Sequence, residues 1–233
     1  MLYHGCSYRV RENKSVDFRF IVLQLLVTLY VLYIFSYQPA WIHVLQLSVI
    51  YLHEAGHALA AIFTGGAALS LAVHDGLGGE CETQGGSLIA VCLAGYLTTA
   101  LIGALLLITS KNRTAGRIVS FTLFGGMLAL FFVPHASGIT ARCAVFFCFL
   151  WFATGCVSTL MWPLGSLALR FLGTFLCLFS VFDVIYDCFG DSWSDAHAAA
   201  QALALPSETI ALFFASVCIL LFAASFLLSL PAD

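Results

Sequence analysis

Long apolar runs separated by short polar stretches form the main pattern along the chain. Each run is close to the roughly 17–25 residues with which an α-helix crosses the hydrocarbon core of a bilayer. The alternation of apolar and polar positions that is typical of membrane barrels is absent, so helices are expected. The pattern predicts an all-α integral membrane protein with six to seven transmembrane helices. The runs lie at about residues 18–36, 41–63, 87–109, 118–133, 143–162, 165–187 and 208–230.

The longest polar interruption is a glycine-rich insert at residues 64–87. Its first part, "ALSLAVH", suits a short strand, "DGLGG" is turn chemistry, and "ECETQGG" suits a returning arm. We therefore predict a short β-hairpin-like insert. The helix before it is expected to end at Thr64 and the two glycines that follow, because glycine accepts the left-handed conformation at a helix C-terminus. A second polar stretch, residues 190–208, contains Ser194 as the predicted N-cap of a short helix.

Composition supports the membrane assignment. Hydrophobic residues make up 61% of the 233 residues and charged residues 9%, against roughly 45–50% and 25% in soluble domains. We predict a multi-pass integral membrane protein in contact with the lipid bilayer, with residues 1–233 forming one domain because no repeat or linker divides them. No basic patch with interleaved aromatic residues indicates nucleic acid. The nine cysteines lie mostly in apolar runs, which indicates buried side chains rather than a disulfide framework.

The basic residues give two conflicting indications of orientation. Residues 1–17 form a basic tail, and Arg19 adds a further positive charge at the start of the first apolar run. By the positive-inside rule this places the N-terminus in the cytosol, and the run itself is predicted to be a retained helix because it lacks a clear cleavage site. The loop "SKNRTAGR" contains Lys111, Arg113 and Arg117, and helix counting places it on the opposite side. Either one apolar run fails to cross, or the rule is too weak here.

Two histidines and a glutamate stand inside the second apolar run. His53 and His57 are four residues apart, so on a helix they can direct ring nitrogens to one point. They would form half of a tetrahedral zinc site, while Glu54 can reach a water molecule in an open coordination position and take its proton. This spacing is typical of zinc metalloproteases and predicts one Zn²⁺ per chain. Ionisable groups are costly in lipid, so partners or a function must compensate them.

Other interpretations of these three residues stay open. The histidines could be hydrogen-bonded to neighbouring helices, with the glutamate in a stabilising role. A metal transporter also carries histidines and carboxylates near the bilayer midplane, although the sequence offers only one convincing ligand set. A non-catalytic membrane protein could keep the zinc for structure, and a small-molecule hydrolase could use the same metal.

Catalytic zinc usually has three protein ligands, so a third ligand must come from elsewhere. Asp183 and Asp187 share a helical face near the end of a long apolar run, and an intramembrane carboxylate indicates a functional site. Asp183 lies deeper in the run and is the preferred ligand. Asp187 is the alternative ligand, or it orients a ligand by a hydrogen bond. Asp191 and Asp195 follow in a polar stretch, where loop and N-cap chemistry is the expected role.

These motifs resemble the site-2 protease class of intramembrane zinc metalloproteases, most closely its compact branch of peptidase-like membrane proteins. In that branch a zinc-binding helix is followed by a Gly-Gly break, an acidic glycine-rich insert, a Gly-Tyr-Leu helix, and a late helix with paired aspartates and a Ser-Asp-Ala triplet. Here the matching segments are "HEAGHALAAIFTGG", "GGSLIAVCLAGYLTTALIGALLL", "FSVFDVIYD" and "SDA", so the resemblance covers about residues 48–200.

The resemblance implies that His53 and His57 are zinc ligands, that Glu54 is the catalytic base and that Asp183 is the third ligand. Better-studied site-2 proteases carry an Asn-Pro...Leu-Asp-Gly signature around their ligand aspartate. The segment "FSVFDVIYD" has neither the proline nor the glycine, which leaves the choice between Asp183 and Asp187 open.

The function that we expect is zinc-dependent hydrolysis of peptide bonds of membrane proteins in or near the bilayer. A transmembrane substrate must unwind locally before it is cut, because a helix hides its carbonyl groups in its own hydrogen bonds. An exposed strand of the insert could pair with the extended segment by β-augmentation. The substrate-binding residues predicted on this basis are Ala68, Leu69, Ser70, Leu71, Ala72 and Val73.

Overall fold

The computed structural model describes residues 18–135, 137–189 and 194–230, which contain eight helices and two strands. The predicted basic tail and Asp191 lie outside these residues. The helices are α1 (Phe18–Tyr37), α2 (Ala40–Phe63), α3 (Leu88–Thr109), α4 (Arg113–Leu130), α5 (Gly138–Leu160), α6 (Trp162–Phe189), α7 (Asp195–Leu203) and α8 (Ser207–Leu228). The strands are β1 (Ala67–His74) and β2 (Gly78–Gln84).

Five of the described helices, α1, α3, α5, α6 and α8, are long and apolar enough to cross a membrane. Their spans have 20 to 26 residues, which at 1.5 Å per residue is enough for a hydrocarbon core of about 30 Å. The protein is therefore a multi-pass integral membrane protein, as predicted. Helices α2 and α4 are not in this group, so the count of six to seven transmembrane helices stays a prediction.

Polar side chains set the start of several helices. Each accepts a hydrogen bond from a backbone N–H of the first helical turn, which has no partner within the helix. The predicted N-cap, Ser194, is confirmed in this role. At the other end of a helix, Gly65 follows α2 with a φ of 88°, as the predicted glycine stop requires. The capping residues are Ser87 for α3, Asn112 for α4, Ser137 for α5 and Ser194 for α7.

The glycine-rich insert forms the predicted hairpin, in which β1 and β2 pair in antiparallel fashion. The hairpin lies along α2. Its tip contacts the start of α2, where Nε2 of His43 lies 3.3 Å from Oδ1 of Asp75. Its base contacts the end of α2, where the hydroxyl of Thr64 accepts the backbone N–H of Ser87 at 2.9 Å. The hairpin therefore covers the helix that carries the two histidines.

Helices α3 and α6 cross at two glycines. A Cβ atom on Gly173 would lie only 2.7 Å from the carbonyl oxygen of Gly103, so larger residues would push the helices apart. Close approach at small residues is a principal way in which helices associate within membranes. This crossing fixes α6 against α3 and brings the late aspartates of α6 beside the Gly-Tyr-Leu segment of α3.

Candidate metal centre

Three side chains from two distant parts of the chain meet at one point. His53 and His57 are buried on α2, and Nε2 of each lies 2.9 Å from Oδ2 of Asp195 at the start of α7. These three atoms lie within 4.8 Å of one another, and in the described chain they form the group of side chains that could hold a metal ion. Two imidazole nitrogens and one carboxylate oxygen are the ligand types found in catalytic zinc sites.

Helix α7 carries Asp195 into this position. Ser194 caps the helix, and a row of small buried residues packs in one cluster with Tyr96 of α3 and Phe214 of α8. Burial alone would raise the pKa of Asp195, but its hydrogen bonds to the two histidines outweigh burial and hold that pKa below its ordinary value. The carboxylate is therefore kept in the charged form that a metal ligand needs. The small buried residues are Ala196, Ala199 and Ala200.

The other ring nitrogen of each histidine also has a neighbour. Nδ1 of His57 lies 2.6 Å from the carbonyl oxygen of Val91 on α3, which accepts its N–H. Nδ1 of His53 has no hydrogen-bond partner but lies 3.0 Å from Oδ2 of Asp183 on α6. In metal sites such contacts fix the ring orientation and leave Nε2 for the metal.

Asp183, the ligand preferred from the sequence, lies beside this group of described side chains but is not a member of it. It faces Nδ1 of His53, whereas the three-atom group is formed at Nε2 and includes Asp195. The sequence pattern made Asp195 look like a helix-start residue, which it also is. Its contact with the histidines depends on how α7 packs, and the "SDA" triplet was the one signal that could have singled it out.

Asp187 lies one helical turn beyond Asp183 and accepts a hydrogen bond from the hydroxyl of Tyr96. The Tyr96 ring packs edge-on against the ring of His53, with the centroids 4.8 Å apart. The paired aspartates of α6 therefore reach His53 in two ways, one directly and one through a tyrosine. Tyr96 was recognised in the sequence as part of a motif, but its contact with the histidine was not predicted.

Gly95 lets α3 approach the two histidines. A Cβ atom at this position would overlap Nε2 of His53 and would lie 2.6 Å from Nε2 of His57. Any other residue would therefore occupy the space between these nitrogens and α3. This close approach depends on the tertiary packing, because the histidines and the glycine come from different helices.

Glu54 lies on the hairpin side of α2. It is 6% exposed, and a Cβ atom on Gly79 of β2 would overlap its Oε1. The carboxylate is thus packed against the backbone of the hairpin and is not part of the three-atom group among the described residues. A group next to the ligands but outside their set is positioned as a general base would be.

The two edges of the hairpin differ in their hydrogen bonding. The backbone N–H groups of Leu71 and Val73 on β1 point away from β2 and bond to the carbonyl oxygen of Pro134 and to Oγ1 of Thr140. The part of the predicted substrate-binding strand at these two residues is therefore already paired. Since residues opposite each other in an antiparallel pair share one orientation, the backbone N–H and C=O groups of their partners on β2 point away from β1. These partners are Cys81 opposite Leu71 and Gly79 opposite Val73.

A cavity of about 570 Å³ opens between the end of α1, the hairpin tip and the last turns of α6. Its lining is largely apolar and includes Phe35, Leu77 and Phe182. Asp183 also lines it, so the cavity reaches the carboxylate that contacts His53. The cavity therefore offers apolar surface beside Asp183, the residue that contacts His53 of the candidate metal centre.

The remaining described histidines have other partners. His43 pairs with Asp75 as described, and Nε2 of His135 lies 3.3 Å from the hydroxyl of Tyr51. Nδ1 of His197 lies 2.9 Å from the hydroxyl of Ser194. His74 is exposed at the end of β1. None of these side chains belongs to the metal-ligand group that the described residues form.

Comparison with known families gives one result. The model of the family described as Peptidase M50B-like matches residues 22–225, which is most of the chain and includes all three members of the ligand group. No curated protein and no solved structure matches the chain.

Proposed function

The chain belongs to the Peptidase M50B-like family, and we propose that it is a zinc-dependent endopeptidase that hydrolyses peptide bonds of membrane proteins in or near the bilayer. The observation that carries this proposal is the convergence of His53, His57 and Asp195 beside a buried Glu54. The family indicates a membrane metallopeptidase, and the site supplies the groups which that chemistry needs.

The donor set suits one zinc ion per chain. His53 and His57 would bind it through Nε2 and Asp195 through Oδ2, which leaves an open coordination position, as catalytic zinc sites require. The neighbours of Nδ1, Val91 and Asp183, would hold the rings in place. Bound zinc would supply a Lewis acid that polarises a carbonyl group and lowers the pKa of water.

Glu54 carries out the proton transfers in the proposed reaction. Its carboxylate takes a proton from the attacking water, whose oxygen forms a bond to the scissile carbonyl carbon. The carbon–nitrogen bond then breaks, and Glu54 passes the proton to the leaving amine. Packing against Gly79 keeps the carboxylate on the side where a chain lying along the hairpin would pass.

Asp183 and the pair Asp187 and Tyr96 act as positioning residues in this proposal. Asp183 faces Nδ1 of His53 and favours the orientation in which Nε2 points to the metal. Tyr96 limits tilting of the same ring, and Asp187 holds the tyrosine hydroxyl. The two i, i+4 carboxylates of α6 thus serve one histidine.

The proposed substrate is an extended segment of a membrane protein that adds as a strand to the hairpin. The sequence suggested β1 for this pairing, but the bonds to Pro134 and Thr140 favour the outer edge of β2. At this edge Gly79 and Cys81 offer backbone groups close to Glu54. The apolar cavity that reaches Asp183 would admit side chains of a segment that leaves the bilayer.

The decisive experiment compares wild type with Glu54→Gln in the same detergent preparations. Zinc content is measured by elemental analysis, and cleavage is measured on a single-span test protein tagged at both ends. We expect about one zinc per chain in both proteins and cleavage only by wild type. Loss of activity of about 10²-fold or more is the usual cost of removing a general base.

The alternative functions give different results in this experiment together with a metal-flux assay on sealed vesicles. A metal transporter would move metal across sealed vesicles regardless of Glu54→Gln, and a protein with structural zinc would show no cleavage in either form. Absence of zinc from folded wild type would contradict the proposal, because the ligand group would then have another role.

A further inference from the structure

One end of the helical bundle carries nearly all the cations of the described chain. At this end, which we call the basic end, the guanidinium of Arg170 on α6 donates to Oε1 of Gln24 on α1 at 2.9 Å and to the carbonyl oxygen of Ser229 after α8 at 3.1 Å. Lys111, which follows α3, donates to the carbonyl oxygen of Leu228 at 2.7 Å. The described cations of the basic end are Arg19, Lys111, Arg113, Arg117 and Arg170.

Further contacts place the α3–α4 connection and the end of α5 at the basic end as well. The hydroxyl of Ser166 on α6 donates to the carbonyl oxygen of Ser110 at 2.6 Å. Arg113 at the start of α4 donates to the carbonyl oxygen of Thr159 near the end of α5. The loop that contains Lys111 therefore lies beside the start of α1, not across the bilayer from it.

The candidate metal centre lies at the opposite end of α6. Asp183 follows Arg170 by 13 residues, which is about 20 Å along a helix. In the described chain, Arg142 at the start of α5 is the one Lys or Arg at this end, where Thr140 of the same helix bonds to Val73 of β1. The described carboxylates gather in the half of the bundle that holds the centre: Glu54, Asp75, Glu80, Glu82, Asp183, Asp187, Asp195 and Glu208.

The path of α2 explains why helix counting gave the opposite result. Helix α1 runs from the basic end toward the centre, where its Phe35 packs against Phe175 and Phe182 of α6 with ring centroids 4.9 and 5.1 Å apart. Helix α3 runs back, from Tyr96 beside Asp187 to the basic end. Helix α2 joins the two and therefore begins and ends in the half with the centre. Two crossings, not three, separate the N-terminal tail from the loop.

We infer that the basic end faces the cytosol and that the candidate metal centre opens toward the non-cytosolic side of the membrane. The positive-inside rule counts lysines and arginines in short loops and close to the ends of spans. The tail cations Arg9, Arg11 and Lys14 adjoin the start of α1 in the sequence, so they count in the same direction as the α3–α4 loop. The N-terminal tail and the α3–α4 loop therefore indicate the same side of the membrane when α2 does not cross it.

This orientation specifies which part of a transmembrane substrate is cut, and in that respect it rests on the proposed peptidase function. A transmembrane segment would be cut in the part of its span nearest the non-cytosolic face, because the ligand group, Glu54 and the hairpin all lie in that half of the bundle. The product that keeps only a short part of the span would leave on the non-cytosolic side. The product that keeps most of the span would stay anchored in the membrane toward the cytosol.

The orientation is tested by thiol labelling of the full chain in sealed vesicles whose cytosolic face is outward. Gly76→Cys places a thiol at the hairpin tip, where a side chain would meet no atom within 4 Å. Thr114→Cys places one at the exposed start of α4. Labelling with a membrane-impermeant maleimide is counted relative to wild type, which carries the native cysteines.

We expect Thr114→Cys to gain one labelled thiol in intact vesicles and Gly76→Cys to gain one only after detergent is added. The reverse pattern, or equal labelling of both variants in intact vesicles, overturns the inferred orientation. Normal zinc content in both variants shows that neither substitution has disturbed the site.

Cleavage is tested separately with two single-span test proteins, which differ only in whether a helix-weakening Gly-Pro pair lies near the cytosolic or the non-cytosolic end of the span. We expect wild type to cut the protein with the non-cytosolic pair at least about tenfold faster, and Glu54→Gln to cut neither. Preference for the cytosolic pair contradicts the inference. No cleavage of either, with the expected labelling, refutes the peptidase function and leaves the orientation intact.

Discussion

The two sides of the candidate metal centre are held in different ways. On α2, a helix of 24 residues, the side chains of His53 and His57 are 8% and 5% exposed, and each ring has a neighbour at Nδ1. On α7, a helix of nine residues, the side chain of Asp195 is 30% exposed. The histidine side is therefore preformed by packing, and the aspartate side faces accessible space. Water and substrate are expected to reach the centre from the side of α7.

Substitution at Gly95 should have the largest effect on the preformed side. Gly95→Ala would place a methyl group where Nε2 of His53 lies, so we expect loss of zinc from the purified protein. Gly125→Ala is the matched control, because a Cβ there would meet no atom within 4 Å. Elemental analysis of both variants checks the expectation. Normal zinc in Gly95→Ala would show that the close approach of α3 to the histidines is not needed for zinc binding.

Asp195→Asn tests the more exposed side with little change in shape. A neutral amide oxygen is a much weaker zinc ligand than a carboxylate, so we expect the zinc dissociation constant to rise by more than about 100-fold, beyond the 10–100-fold range typical of groups that only support a ligand. Competition with a zinc chelator measures the constant. A smaller change than that for Asp183→Asn would reverse the assignment of the third ligand.

Asp183→Asn should have the intermediate effect of a supporting group. The carboxamide keeps the contact with Nδ1 of His53 but loses its charge, so a rise of about 10–100-fold in the zinc dissociation constant is expected. The same chelator titration provides the measurement, with Asp195→Asn in parallel. Complete loss of zinc at saturating metal would indicate that Asp183 is itself a ligand.

Cys81→Pro examines the outer edge of β2 at a residue that is not a member of the ligand group. Proline removes the outward N–H of β2 and is tolerated on an edge strand, so the pairing with β1 and the zinc content should stay normal. We expect cleavage of the tagged test protein to fall several-fold relative to Cys81→Ala, which removes the thiol but keeps the N–H. Equal cleavage by the two variants would exclude strand pairing at this position.

Tyr96→Phe is expected to have the smallest effect. It removes the hydroxyl that donates a hydrogen bond to Asp187 but keeps the ring that packs against His53. Zinc affinity should therefore fall less than tenfold. Tyr96→Ala should lower it further, because the ring contact is lost as well. Equal affinities for the two variants would mean that the hydroxyl, not the ring, positions the histidine.

Features that depend on residues close together in the chain could be predicted from the sequence. The spacing of His53 and His57, the end of their helix before Gly65, the hairpin and the cap at Ser194 all follow from local geometry. Length and hydropathy likewise give membrane-spanning helices. In each case the backbone dihedrals or the helical period are sufficient, whatever the rest of the chain does.

The contact of Asp195 with the histidines and the path of α2 could not be predicted from the sequence. Asp195 lies 142 residues from His53, and its polar surroundings resemble those of any helix start. Asp183 carried the stronger sequence signal, since a carboxylate in an apolar run is rarer. In the inferred orientation helix counting fails for a similar reason, because an apolar run of sufficient length does not have to cross.

The sequence by itself determined the membrane class, the pair of histidines with its adjacent glutamate, and the hairpin that follows. Only the tertiary structure decided that Asp195 meets both Nε2 atoms, that Asp183 faces Nδ1 of His53, and that the cations of α1, α6 and the α3–α4 loop share one end. The physical reason is that these arrangements depend on which helices pack together. Small residues at the crossings, such as Gly95, Gly103 and Gly173, set that packing through contacts between segments far apart in the chain.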